Sequence, residues 1–405
     1  METLKFIMVT THFPPYHLGG DAVFVKYLSE ELANLGHEVH VFHTPSAYQT
    51  IRGTGQPAAK EDLDPRVIRH AMTSDWPKTD TLLSLSVGVW KKARNRLDDL
   101  VRTIHPDVVH WHNTKGFIAV PYVVPGTVSL YTAHDYYAVC TRSNLLRDKR
   151  TPCIEPRNCM ICNLRWRKPV PVWRAMNRRV LGLQDGLRVI SPSEYVEKRL
   201  RDDGIKVHQV IRNFVPDREA ALGPREGRDL LLYIGMLETH KGPQTLLEAF
   251  ARSHKEHGFR LCIVGQGSLS GDILRKIREN GLQQRVSVPG FISRKSINSL
   301  RQEALVQIIP SEWFENAPLT ALEGFSFGTP LVGSDIGGLP EILTRENGAE
   351  TFAHGDPEDL SNRLRGLWQD RAILDARRVL SRKAYETRFS PRTHITAYMN
   401  ALQRD

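Results

Sequence analysis

The sequence contains no apolar run approaching the roughly 20 residues that a membrane-spanning helix needs, which excludes an ordinary helical span. Its opening, METLKFIMVTTHFPP, carries no long apolar core followed by a small-residue cleavage site. Lys5 followed by FIMVTT reads as a first strand, and a cytoplasmic protein is expected. There is no zinc-finger ladder, no RNP-type aromatic motif and no long Lys/Arg run, so nucleic acid is not an expected partner. Internal repeats and low-complexity tracts are missing too. The dinucleotide fingerprint GxGxxG is absent, which weakens a dehydrogenase reading.

What is present is size, positive charge and a repeating pattern. With 405 residues the chain exceeds what one core usually fills, so two domains of about 200 residues are expected. Lysine and arginine number 55 against 45 acidic residues, a formal net charge of +10. That balance suits anionic partners such as phosphorylated substrates or an anionic membrane face. KFIMVTT, the loop closed by Gly19 and Gly20, the helix bearing Phe24, Leu28, Leu32 and Leu35, and EVHVFH form a β-loop-α-β unit. A short strand is expected near RVIRH, a helix over roughly 82 to 104, and strands in PDVVHWHN and Val128 to Thr132. LLLYIGMLETHKG opens a second unit of the same kind near residue 228, and from about 356 onward the chain reads as helical.

The densest stretch runs from Pro310 to Glu341, PSEWFENAPLTALEGFSFGTPLVGSDIGGLPE. It follows ALVQIIP, an apolar run short enough to be a buried strand, so it begins at a strand's C-terminal edge, where open α/β sheets bind ligands. Pro318 stands where a first-turn proline would, and Leu319, Leu322, Phe325 and Phe327 supply a helix face until Gly328 and Pro330 stop it. Glu315 then precedes a helix and Glu323 lies within it. The backbone amides at the helix start, residues 317 to 320, favour an anion such as a diphosphate. Glutamates spaced like these are also common on solvated helices.

His134 and Asp135 end the Val128 to Thr132 strand, at a position open to either a structural or a chemical role. His110 and His112 share a strand face; two possible ligands are too few for a metal, and packing is the simpler reading. Asp62-Leu63-Asp64, a DxD pair, reads as solvated loop. Cys140, Cys153, Cys159 and Cys162 cluster in one short stretch of a chain expected in the cytoplasm. Structural zinc and free thiols both remain open there, with an iron-sulfur cluster a poorer third choice. NLRWRKPVPVWRAMNRRVLG interleaves basic residues with Trp166 and Trp173; it suits an anionic membrane surface or a basic helix whose indoles pack on the domain.

Pro310-Ser311, Glu315, Asn316-Ala317-Pro318, Glu323 and SDIGGLPE, taken in order with His134-Asp135 and Lys241-Gly242, resemble retaining GT-B glycosyltransferases of the glycogen-synthase-like superfamily. The resemblance implies an α/β fold of two Rossmann-like domains facing across a cleft. Residues 1–215 would bind acceptor, 216–385 the nucleotide sugar, and a final helix in 386–405 would cross back to the first domain. It implies transfer of a sugar from a nucleoside diphosphate donor to a hydroxyl of a glycan or lipid-linked acceptor, with no cofactor for catalysis. By the same resemblance His134, Asp135, Glu315 and Lys241 are the catalytic set. Gly19, Gly20, Lys241, Gly290, Phe291, Ile292, Asn316, Ala317, Leu319 and Glu323 would contact the donor. Met236 stands where relatives carry an arginine, which places more of the diphosphate on Lys241 and the helix amides. A sugar phosphorylase or sucrose-synthase-like activity, or a non-catalytic nucleotide-sugar-binding scaffold, are the alternatives.

Overall fold

The computed structural model describes residues 2–17, 19–52, 63–88, 90–147, 151, 153, 159–173, 185–218, 229–256, 258–370 and 372–403. The chain divides into two compact units. The first comprises Met1–Leu145, Cys153–Arg212 and Ile395–Asp405, and the second Leu146–Pro152 and Asn213–His394. No helix among the described residues is long and apolar enough to cross a membrane.

In the first unit β1 (Lys5–Val9), β2 (Glu38–His43), β3 (Val67–Ala71), β4 (Val108–Trp111), β5 (Val128–Thr132), β6 (Leu187–Ser191) and β7 (Gln209–Val210) pair in the order β3-β2-β1-β4-β5-β6-β7. Every pairing is parallel. A parallel sheet is covered on both faces, so its central strands are continuous apolar runs rather than alternating ones. Phe6, Ile7, Met8 and Val9 are accordingly all fully buried. The strand order reverses between β1 and β4, which creates a crevice at their C-terminal ends.

The helix Gly20–Asn34 buries Phe24, Leu28 and Leu32, but it ends one residue before Leu35, which is exposed. The helix expected over 82 to 104 is two helices, Pro77–Val87 and Lys91–Ile104. Gly88 separates them at φ 94°, and a Cβ there would lie 2.9 Å from the Trp173 indole. A left-handed glycine backed by an aromatic ring ends a helix that sequence periodicity alone would continue. The final helix, Pro391–Leu402, has its residues from Ile395 onward in the first unit. There buried Tyr398 bonds to His110, and Arg188 Nη1 donates to the Ala401 carbonyl at 2.7 Å.

The second unit pairs β8 (Leu230–Ile234), β9 (Arg260–Val264), β10 (Val286–Gly290), β11 (Val306–Ile309), β12 (Leu331–Ser334) and β13 (Ala349–Phe352) in the order β10-β9-β8-β11-β12-β13, again all parallel. Its core joins Leu231, Tyr233, Phe250, Phe259, Ile263, Ile308 and Leu364. Cys262 is a buried core residue, as its place in an apolar strand suggests. The order reverses between β8 and β11, and the loops after these two strands carry Lys241 and Glu315.

Candidate functional site

Lys241 closes the short turn Thr239–Lys241 after β8, and Gly242 follows at φ 65°. A side chain at 242 would put its Cβ 1.7 Å from the Pro310 carbonyl oxygen, so only glycine lets this turn seat against the chain leaving β11. The contact brings two strand ends together. Lys241 Nζ donates to Glu315 Oε1 at 2.6 Å, and Ser311 Oγ donates to the same oxygen at 2.6 Å. The Glu312 amide donates to the His240 carbonyl at 2.9 Å, and the Lys241 ammonium lies 4.7 Å from the Trp313 ring centre. From the other side the Gly337-Gly338 turn closes on Glu315, whose carbonyl accepts from the Gly338 amide at 2.7 Å. Gly337, at φ 64°, would press a Cβ to 2.4 Å from that carbonyl oxygen.

Glu315 is only 6% exposed. Burial by itself pushes its pKa up, but the facing Lys241 charge and the hydrogen bonds outweigh that, and the net shift is downward. The carboxylate is therefore ionised, and paired with a cation in a dry setting. Its turn neighbours look elsewhere. Glu312 accepts from Thr245 Oγ1 at 2.5 Å and, with Phe314, Gln244 and Lys276, lines a separate cavity of about 420 Å³.

The helix Leu319–Ser326 begins one position later than its sequence suggests, because Pro318 has extended geometry and is the capping residue. Pro318 also has no N–H, so it drops out of the expected run of amides, leaving those of Leu319 and Thr320 at the helix start. Asn213 Nδ2 donates to the Ala317 carbonyl at 3.3 Å and orients the peptide ahead of the helix. Glu323 sits on this helix as expected, and its carboxylate is ion-paired with buried Arg301. On the β10 side Gly290 ends the strand at φ 75°, Phe291 is exposed, and Ile292 packs partly against Leu230, Leu232 and Val264. Met236 is 43% exposed after β8, its carbonyl accepting from Tyr233 Oη at 2.9 Å.

In the first unit Gly19 caps the helix Gly20–Asn34 with extended backbone that any residue adopts, so its contribution is the missing side chain. His134 follows β5, and its Nε2 lies 2.9 Å from His112 Nδ1. Burial lowers the His134 pKa to about 4, against a smaller upward pull from Asp21, and the ring is neutral near pH 7. Asp135 accepts from the Tyr137 amide at 2.7 Å, capping the turn Tyr136–Ala138. Burial pushes its pKa up, with Lys115 pulling the other way.

The cysteines do not assemble as a metal group. Among the described residues no three His, Cys, Asp or Glu side chains converge as metal ligands, and all five cysteines are unbridged. As placed, the four thiols do not fit a structural zinc. Asp64 of the DxD pair is held by Arg66, with Nε to Oδ1 at 3.0 Å, while Asp62 lies outside the described residues. The tryptophans of the basic segment pack within the unit: Trp166 stacks 4.1 Å from the Arg142 guanidinium, and Trp173 Nε1 donates to the Leu85 carbonyl at 3.2 Å. Residues 166–171 between them are not helical, in a stretch broken by Pro169 and Pro171.

Sequence reasoning missed three partners. Ser311 had a signal, since it belongs to the Pro-Ser preceding Glu315. His112 was visible but read as packing. Arg301, on the helix Arg294–Glu303, had no signal.

Residues 215–387 match the family model described as Glycosyl transferases group 1, and residues 18–219 the model described as Glycosyltransferase Family 4. Glycogen synthase of Mycobacterium tuberculosis is 26% identical over 97% of this chain and 93% of its own length. The MMP alpha-(1->4)-mannosyltransferase of Mycolicibacterium hassiacum is 29% identical over 81% of this chain and 80% of its own. Anabaena HepE, solved in complex with UDP-glucose, shares the fold with a TM-score of 0.66 at 15% identity, covering 98% of this chain and 99% of that one.

Proposed function

We propose, on the premise that this chain belongs to the GT-B glycosyltransferases, that it transfers a sugar with retention of anomeric configuration from a nucleoside diphosphate sugar to an acceptor hydroxyl. The observation that carries this reading is the pairing of buried Glu315 with half-buried Lys241 at the β8/β11 switch point, fixed by Gly242 and Gly337. An ammonium has three N–H donors. Glu315 takes one, and the others suit the oxygens of a departing diphosphate, whose growing charge Lys241 and the amides of Leu319 and Thr320 would stabilise. Glu315 would accept from sugar hydroxyls, Glu323 from the ribose, and the Gly290–Ile292 turn would lie against the base. The HepE complex with UDP-glucose supports a donor of this class.

In the transfer the bond from the anomeric carbon to the phosphate oxygen breaks as the acceptor oxygen bonds on the same face. The acceptor's proton passes to the leaving phosphate. His134 would act on the donor sugar, with Asp135, Gly19 and Gly20 in support, and without a metal ion. Acceptors in polysaccharide or lipid-linked glycan assembly fit the basic charge, as does work in the cytoplasm beside an anionic membrane. Co-sedimentation with anionic but not neutral vesicles is the expected outcome for that last point.

The decisive experiment incubates the purified chain with a panel of nucleotide sugars and candidate acceptors and follows release of nucleoside diphosphate. One donor is expected to turn over, undiminished by chelator, and to give a product with the donor's anomeric configuration by proton NMR. A folded protein that neither binds nor turns over any donor would sink the enzyme reading.

A further inference from the structure

In the first unit the helix Pro77–Val87 reverses the usual amphipathic order. Its covered side is small and partly polar. Ser84 is fully buried with Oγ donating to the Phe117 carbonyl at 2.8 Å, and Thr81 and Leu85 face the Gly116 turn. At about 3.6 residues per turn the opposite arc carries Trp76, Thr79, Leu82, Leu83, Ser86 and Val87, with no charge in it. Trp76 is 74% exposed, and Leu82, Leu83 and Val87 are each more than half exposed. Scattered apolar residues on a surface are ordinary, but a helix with its serine inward and its leucines outward presents a face built for an apolar partner. Two neighbours extend it. Thr50 Oγ1, on the helix Pro45–Arg52, lies 3.4 Å from Thr81 Oγ1, and the adjoining Ile51 is exposed. At the far end Trp173 packs on Leu85 and Gly88, which brings exposed Val172 beside the end of the helix.

We propose that this face seats the protein on an anionic lipid surface, with Trp76, Leu82, Leu83 and Val87 in the boundary between headgroups and acyl chains. The proposal rests on the reading that the chain works beside an anionic membrane, and it names the surface that makes the contact. Charge decides the occupant. Lys78 borders the apolar arc, Lys91 and Lys92 open the helix that follows, and Arg167 and Lys168 lead into Val172. All five are exposed, and no ion pair among the described residues engages them. Of the nearby acids, Asp80 accepts from Ser74 Oγ at 2.5 Å, and Asp75 is exposed. Lipid phosphates meet such a basic rim with the opposite charge. A second copy of the chain would not, because a two-fold contact lays the same lysines against one another. The basic segment between Trp166 and Trp173 spends both indoles inside the unit, whereas Trp76 is the exposed tryptophan of this chain, suited to the headgroup layer.

The test is partition of the full chain onto phosphatidylcholine–phosphatidylglycerol vesicles, with pure phosphatidylcholine as control. Leu83→Glu combined with Val87→Glu, both at exposed positions, should lower the partition coefficient on the order of 10-fold or more with thermal unfolding unchanged. Lys91→Gln combined with Lys92→Gln should lower it roughly 5- to 20-fold at low salt and little at high salt. At saturating vesicles, brominated acyl chains should quench tryptophan emission in the native chain, and Trp76→Leu should lose that quenching. Native binding by Leu83→Glu/Val87→Glu would overturn the choice of face while leaving the membrane reading intact. So would a loss confined to Ile161→Glu/Leu164→Glu, the exposed pair on the helix Cys159–Arg165. A native chain that binds neither vesicle would sink both. A native dimer that Leu83→Glu/Val87→Glu splits, without vesicle binding, would give the face to a second copy and overturn the proposal.

Discussion

In the second unit the buried Glu315 carboxylate keeps its charge by facing Lys241 at 2.6 Å, whereas in the first unit desolvation leaves the half-buried His134 ring uncharged near pH 7. Both solutions avoid an unpaired buried ion. They prepare different chemistry. On the proposed reading the held cation would meet a diphosphate, while a neutral ring would exchange hydrogen bonds with sugar hydroxyls without adding charge. They should also fail differently, the pair when one partner is removed and the imidazoles when acid arrives.

The largest effect is expected from Lys241→Ala. Removing a cation from the leaving group should cost about 10²- to 10³-fold in kcat, and the carboxylate left behind should destabilise the second unit by up to about 3–5 kcal/mol. Lys241→Met combined with Glu315→Gln should return most of the stability but none of the turnover, as read by urea unfolding and steady-state rates. Recovery of turnover in the double variant would mean that the pair serves packing alone.

Acid should act on the first unit first. Burial lowers the pKa of His12, His37, His43, His70 and His134 there, to about 4 for His43 and His134. Their folded pKa values lie below the unfolded 6.5, so the unfolded chain takes up protons earlier. The stability they contribute is complete above about pH 6.5 and is lost as pH falls toward 4, on the order of 2–3 kcal/mol for each of the last two. In the second unit His240 shifts the same way, but Glu315, with its pKa below the usual 4.5, loses its contribution only beneath that value. Amide exchange at pH 5 should therefore show β1, β4 and β5 loosened relative to β8, β11 and β12. Equal loosening would erase the distinction.

A smaller effect is expected from Gly337→Ala. The added Cβ must push the Glu315 backbone away, at a cost of roughly 1–3 kcal/mol in the second unit. Donor turnover should fall with little change in the melting of the first unit. An unchanged rate would mean that the glycine turn does not fix the carboxylate.

The strands of both units were legible because parallel strands covered on both faces are written as unbroken apolar runs, as in FIMV and LLLYI. Lys241 and Glu315 were legible from motif order. Their ion pair was not, because nothing in either segment says that Gly242 brings two strand ends into contact. The break at Gly88 depends on Trp173, far along the chain, and periodicity has no access to such a neighbour. Arg301 looked like any helix arginine until its helix turned it toward Glu323. His112, two residues from His110 in a strand, had only the alternation of faces to recommend it, and its bond is to a residue just past the neighbouring strand. The cysteines show the reverse case: they stand close in sequence, with zinc and free thiols both open there, and among the described residues no three metal-ligating side chains converge.

The most direct measurement is the turnover of Glu315→Gln with the donor that the native chain uses. The substitution keeps size and hydrogen bonding but removes the charge that Lys241 faces. A loss on the order of 100-fold or more in kcat, with the two units still folded, is expected if Glu315 and Lys241 form the donor site. Native turnover by Glu315→Gln would contradict that claim and move the chemistry elsewhere on the fold.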